Sequence, residues 1–334
     1  MTEQIPQRRA VMSAHTSAAW TRHPGAAVIR CTGTDRIDFL HRLTTNDMTK
    51  LLPEHGIQTV IVTEKARIID VVMVLQGQDD AVLLGSNDCS SQIVSWLRKY
   101  VITDDVRFVD RTHQQHCLEI MGPHAAEVVE GLLGIDCSRW ALGTWTHATI
   151  EGGQIVVARM ASSCEVSYWI VGDTDPIEAI VTSLRANEHA VPELRDVDAR
   201  YVRVLSGMGC YDHEWSEAYN PLEAGLLHLT SFTKGCYIGQ EVIARLDSYN
   251  KVKQRIMGIV APARLDVGDV LVIDEHPVGV VTSVVQSCDG IMWLALGYVR
   301  GQHAVSNTPI SVQSEHGLIV ATQYLPPIVD VSCL

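Results

Sequence analysis

The stretch Lys234-Gly235-Cys236-Tyr237-Ile238-Gly239-Gln240-Glu241 sets one thiol between two glycines, with a lysine before it and an amide–carboxylate pair after it. Glycine lets backbone approach a ligand closely or take positive φ, and a nearby cation favours thiolate over thiol. Cys236 is therefore a candidate nucleophile or soft ligand, with Lys234 as its activating cation. The competing reading is a structural turn around an inert buried cysteine, and spacing alone does not choose between them. Between Lys234 and Arg255 five bases (Lys234, Arg245, Lys251, Lys253, Arg255) face two acids (Glu241, Asp247), a local charge of +3 in a chain whose net charge is −13. Such a run is either a solvated face or an anion site.

Asp70 is the second candidate. It interrupts the run Ile68-Ile69-Asp70-Val71-Val72-Met73-Val74, which is otherwise apolar. A carboxylate in such a strand costs stability if buried unpaired, so it either meets water at a strand end or has a partner. In the second case it is a general base or a ligand anchor. Metal chemistry is poorly supported: His113, His116 and Cys117, or Cys210 and His213 with Cys236, lack the spacing of a four-ligand zinc site. No dinucleotide, Walker A, nucleophile-elbow or metalloprotease motif occurs.

The elements that must position these residues read as follows. A strand over 28–32 ends at Gly33 and leads to a helix carrying Ile37, Phe39, Leu40 and Leu43, capped by Thr34 or Asp35. Two strands between Gln58 and Leu75 flank the turn 63–67. Asn87-Asp88 caps a helix with Ile93, Trp96, Leu97 and Tyr100 on one face. Leu118 to Pro123 repeats the strand–glycine–helix order, so Gly122 mirrors Gly33 and suggests two related units. Further strands at 154–160 and 166–171, a helix opened by Asp175-Pro176 and a short helix closed by Gly207 complete an α+β or α/β region. From about 251 onward only strands and turn signals remain, which predicts a small all-β barrel over 251–334.

Length, an apolar content of 46% and a charged content of 19% describe an ordinary globular protein of two or three domains. The acidic balance disfavours general nucleic-acid binding. Nine scattered cysteines without a CxxC pair fit reduced thiols in a cytoplasm-like compartment. Met1 to Trp20 lacks the apolar core of an export signal, and no apolar run of membrane-spanning length occurs, so a soluble cytoplasmic protein is expected.

Ser231-Phe232-Thr233-Lys234-Gly235-Cys236-Tyr237-Ile238-Gly239-Gln240-Glu241, followed by Ala244-Arg245, resembles the signature of the YgfZ family. These are folate-binding proteins of iron–sulfur cluster assembly, within the wider superfamily of the glycine-cleavage aminomethyltransferase. Asp35 to Leu40 with Leu43 to Asp47, Leu118 to Pro123, Val278 to Ser283 and Ala295 to Val299 are similar to other family segments, so the resemblance spans nearly the whole chain.

The resemblance implies a GcvT-like fold of two related α+β subdomains over 1–250, with a break near 112–116, closed off by the barrel. It implies a tetrahydrofolate pocket in which Asp70 orients folate and substrate amine, and Arg203 meets the folate carboxylate. Glu165, Gly239, Gln240, Glu241 and Arg245 join them as expected cofactor contacts. Where the aminomethyltransferases carry a second glutamate that binds the pterin N–H edge, this chain has Trp169, so that acid is gone or replaced. The implied partners are folate, iron–sulfur assembly proteins and client enzymes, including tRNA-modifying ones, with Cys236 as the essential thiol. Two other readings stay open: a tetrahydrofolate-dependent aminomethyltransferase or demethylase with Asp70 as base, and a non-catalytic scaffold.

Overall fold

The computed structural model describes residues 5–186, 191–249, 252–315 and 317–328. The chain opens with α1 (Arg8–Thr16), β1 (Ala19–His23), β2 (Ala26–Thr32) and α2 (Arg36–Leu43), then β3 (Gly56–Val62), β4 (Ile68–Gln76) and β5 (Asp80–Asn87). Next come α3 (Ser90–Arg98), β6 (Arg107–Asp110), β7 (Gln115–Met121) and α4 (Ala125–Leu133), followed by β8 (Trp145–Ile150), β9 (Gly153–Arg159) and β10 (Ser167–Asp173). Helices α5 (Thr174–Ala186), α6 (Asp196–Ser206) and α7 (Gln240–Ser248) precede the last strands. These are β11 (Gln254–Ala261), β12 (Val270–Ile273), β13 (His276–Gln286), β14 (Trp293–Arg300), β15 (Thr308–Ser314) and β16 (Gly317–Tyr324).

Two five-stranded sheets form, ordered β3-β4-β5-β2-β6 and β1-β7-β10-β9-β8, and the six terminal strands close into a barrel. The strand–glycine–helix repeat is visible in both sheets: β2 leads through Gly33 to α2, and β7 leads through Gly122 to α4. Both glycines take positive φ, and a Cβ on either would strike backbone carbonyl oxygen, Asp105 in one case and Ser17 in the other. Strand β1 pairs with β7, so Ala19–His23, before the first sheet begins, supplies the edge of the second.

Strand alternation decides what each face does. Phe39, Leu40, Ile93 and Leu97 from α2 and α3 pack on Val72 and Val74 of β4, while Val129 of α4 and Ile177, Ile180 and Val181 of α5 pack on Leu118 and Ile170. The opposite faces meet each other through Val28, Met73, Leu75 and Leu84 against Trp145, Ala158, Met160 and Val171. The two sheets therefore pack face to face with their helices outside, and the space between them is the natural place for a ligand.

Local differences from the sequence reading have simple causes. Asp35 is the N-cap of α2 but forms no side-chain cap, because its carboxylate and the Thr34 hydroxyl are engaged with the 105 turn. Gln240 to Ser248 is a helix, begun by Gly239 at φ 81°. Of the described cysteines seven are free thiols, but Cys288 is disulfide-bonded, which corrects the expectation that all are reduced. No helix among the described residues is long and apolar enough to cross a membrane.

Candidate functional site

Between the sheets lies a cavity of about 710 Å³, within the range that holds a drug-sized ligand. One wall carries Met73, Leu84 and Ser86; the facing wall carries Thr21, Glu119, Met160 and Trp169. Arg200, Val202 and Arg203 of α6, the stretch 208–213 with Trp215, and Ser283 and Val284 of β13 close it. Both sheets and the barrel are needed to make it.

The chemical centre of the cavity is Glu119 on β7, 3% exposed. Its Oε1 accepts hydrogen bonds from the hydroxyls of Ser162 and, at 2.6 Å, Ser167. Its Oε2 lies 2.6 Å from Nε2 of His23, which donates its proton there. Burial alone would push this carboxyl up. The His23 bond and charge and the two serine hydroxyls outweigh it and hold Glu119 below the usual carboxylate value. Trp169 is the direct cross-strand neighbour of Glu119, and its ring stacks on His23 at a centroid distance of 4.6 Å. The result is an ionised acid beside a flat aromatic surface in a largely apolar cavity.

Arg203 lines the cavity from α6. Its Nη1 donates to Glu214 Oε2 at 3.0 Å and to the Met208 carbonyl, and its Nη2 donates to Ser283 Oγ at 2.7 Å. Three of the five guanidinium donors are thus committed to the fold, leaving Nε–H and one Nη2–H. Glu214 is fully buried and also accepts from Thr282 Oγ1 at 2.6 Å, so this pair ties α6 to the barrel strand β13. Arg200, one turn earlier on the same helix, also lines the cavity and is exposed.

Asp70 is fully buried behind that wall rather than on it. It shares a face of β4 with Val72 and Val74, whereas Val71 and Met73 turn to the cavity. Its Oδ1 accepts from Ser86 Oγ at 2.6 Å and its Oδ2 from the Ser86 N–H at 2.9 Å. Gly85 makes the room, since a Cβ there would sit 2.6 Å from Oδ2. Burial raises the Asp70 pKa to about 6 against the Ser86 hydrogen bonds, which lower it. The serine hydroxyl is what Asp70 presents toward the cavity.

The thiol loop lies elsewhere. None of Lys234, Cys236, Gly239, Gln240, Glu241 and Arg245 lines the cavity. Lys234 is buried, and its ammonium donates to the carbonyl of His41 in the last turn of α2 and to those of Thr44 (2.8 Å) and Asn46 (2.7 Å) just past it. Burial lowers its pKa to about 8. All three ammonium protons are spent on backbone, so Lys234 anchors the loop. Cys236 itself is exposed. Gly239 packs on the 63–66 turn, where a Cβ would meet the Thr63 oxygen at 2.9 Å, and Glu241 and Arg245 are exposed on α7. Glu165 is exposed on the turn before β10, away from the cavity lining, with its carbonyl bonded to Arg159. Lys251 lies outside the described residues.

Glu119, His23, Ser162, Ser167 and Glu214 escaped the sequence reading. Glu119 offered a signal of the same kind as Asp70, a lone acid in the apolar strand Cys117-Leu118-Glu119-Ile120-Met121. The two serines and His23 offered none, because they meet it only through strand pairing.

The GCVT N-terminal domain model matches residues 10–234. The chain is 30% identical to the chloroplastic "Putative transferase At1g60990" of Arabidopsis thaliana, over 89% of this chain and 69% of that protein. It is 26% identical to an aminomethyltransferase of Staphylococcus carnosus, over 79% of this chain and 73% of that protein. The crystal structure of the glycine cleavage system aminomethyltransferase T from Bartonella henselae superposes with a TM-score of 0.83, covering 96% of this chain and 89% of that one at 16% identity. The fold is thus GcvT-like, and the chain belongs to the GCVT N-terminal domain family.

Proposed function

We propose that the protein binds a reduced folate in the central cavity and, as a YgfZ-type member of its family, supports assembly or repair of iron–sulfur clusters in client enzymes. The observation that carries this reading is Glu119, an ionised buried acid next to Trp169. A pterin ring offers N–H donors along one edge and a flat face. A carboxylate suits the first and an aromatic surface suits the second. In this reading the acid expected in the position of Trp169 is supplied by the paired strand. Arg203, through its two uncommitted donors, and Arg200 would receive the carboxylates at the other end of the ligand.

Cys236 is exposed, outside the cavity and on an anchored loop, so its partner is another macromolecule or a cargo it delivers rather than the bound folate. Two experiments test the two halves. Tetrahydrofolate should quench tryptophan fluorescence, since Trp169 and Trp215 line the cavity. Absence of saturable quenching sinks the folate half. Complementation of a deletion strain by wild type and by Cys236→Ala tests the other. Full restoration of cluster-enzyme activity by the variant removes the thiol from the mechanism.

A second reading, folate-dependent transfer of a one-carbon unit from a small amine, is favoured by one observation: Asp70, with its raised pKa, is hydrogen-bonded through the Ser86 hydroxyl to the cavity wall. Turnover of an amine that is abolished by Asp70→Asn and by Ser86→Ala would decide for it.

A further inference from the structure

A second concavity, of about 810 Å³, lies where the barrel meets the rest of the chain. Arg67, Ala218 and Glu223 form one side, and residues 252–255 with 300–302 and Ala304 form the other. Its charged lining is Arg67, Lys253, Arg255 and Arg300 against Glu223 alone, four cations and one acid, hence +3 in a chain of −13. Glu223 is 4% exposed and already committed: it accepts from the Asn220 N–H at 3.1 Å and faces Arg67 at 3.7 Å. Arg255 and Arg300 are exposed, and neither has a side-chain partner among the described residues.

Strand register explains the convergence. Gln254 on β11 pairs with Arg300 on β14 and Arg255 with Val299, so Arg300 and Arg255 come from adjacent rungs on opposite faces of the strand pair and reach the groove where that pair ends. The turn after β14 is pinned there by the Gly301 N–H donating to the Lys253 carbonyl at 2.8 Å. Arg255 and Arg300 both reach this lining, and planar guanidinium donor forks are shaped for phosphate or carboxylate oxygens. The local basic run noted in the sequence divides accordingly: Lys234 is spent inside the fold, while Lys253 and Arg255 face this groove.

We propose that this groove is a binding site for a compact polyanion with three or more negative charges, either a phosphate chain or a polycarboxylate. The overall acidity of the chain opposes an extended nucleic-acid backbone, whereas a small ligand meets only the local +3 field. No residue is shared with the lining of the central cavity, so this site stands or falls independently of folate binding.

The test is calorimetric titration of the full-length protein with sodium tripolyphosphate and, separately, with tri-γ-glutamate, at about 50 mM NaCl, where screening is still modest. Saturable binding of either ligand is expected, and the tighter one identifies the oxyanion class. Arg255→Glu/Arg300→Glu should weaken it by about tenfold or more, and the milder Arg255→Gln/Arg300→Gln by a smaller factor, both with unchanged melting temperature because the side chains are exposed. Arg107→Glu, an exposed charge reversal on β6, should leave it unchanged. The proposal is overturned if neither ligand binds up to about 1 mM, or if Arg107→Glu weakens binding as much as the groove variants do.

Discussion

Glu119 and Trp169 face each other across the β7–β10 pair, with the indole stacked on the same His23 that donates to the Glu119 carboxylate. A cross-strand pair in antiparallel register places two side chains about 5 Å apart on one face, so an acid can move to the neighbouring strand and stay in the same cavity.

That relationship makes the first prediction. Glu119→Gln keeps the size but removes the charge, and should weaken tetrahydrofolate binding by about ten- to a hundredfold, the range for losing a charge-assisted hydrogen bond. Placing an acid on the opposite strand, Glu119→Gln/Trp169→Glu, should recover part of the affinity. Fluorescence titration through Trp215 reads both. Unchanged affinity in Glu119→Gln would remove the acid from the site.

The second concerns Asp70. Its folded pKa of about 6 lies above the ordinary aspartate value, so between roughly pH 4 and 6 the folded state binds more protons than the unfolded one. Stability therefore rises as pH falls through that window, and the ionised form costs about 1–3 kcal/mol above it. Asp70→Asn should raise the melting temperature at pH 7.5 by about 2–6 °C, with the gain shrinking toward pH 4.5. A lower melting temperature at pH 7.5 would show that the carboxylate is compensated by its surroundings.

Lys234 gives the third. Its tripod of carbonyl contacts holds the loop bearing Cys236 to the end of α2. Lys234→Met strands three carbonyls and should cost about 2–4 kcal/mol in denaturant unfolding. Lys234→Arg should not rescue it, because a planar guanidinium cannot replace a compact three-donor ammonium. Wild-type stability in Lys234→Met would mean that the loop is held by other contacts.

The extent to which these features were legible in sequence follows from the kind of contact involved. The strand–glycine–helix repeat, the helix over Ser90–Arg98 and the terminal barrel were readable because periodicity and turn residues are local. Asp70 was readable as an anomaly, but its orientation was not: whether residue 70 or 71 faces the cavity depends on which face of β4 packs on α2 and α3. Lys234 next to Cys236 looked like an activating cation, yet the three acceptors that claim its charge lie about 190 residues earlier. The serines that complete the Glu119 site were illegible for the same reason, being brought together only by β7 and β10 pairing.

The last prediction concerns the joint between barrel and cavity. Arg203 and Glu214 are a mostly buried ion pair, extended by Thr282 and Ser283 of β13. Removing one partner leaves the other charge buried without compensation, which costs more than the pair itself contributes. Glu214→Gln should therefore destabilise by about 2–4 kcal/mol and speed amide exchange in β13. Arg203→Met/Glu214→Leu should be less destabilised than the sum of the single variants, because the double change leaves no orphan charge. The same cycle separates structure from binding at Arg203. If its guanidinium also receives a ligand carboxylate, folate affinity falls in the double variant even where stability returns. Wild-type affinity in that variant would assign Arg203 wholly to docking the barrel and leave Arg200 as the cation for the ligand.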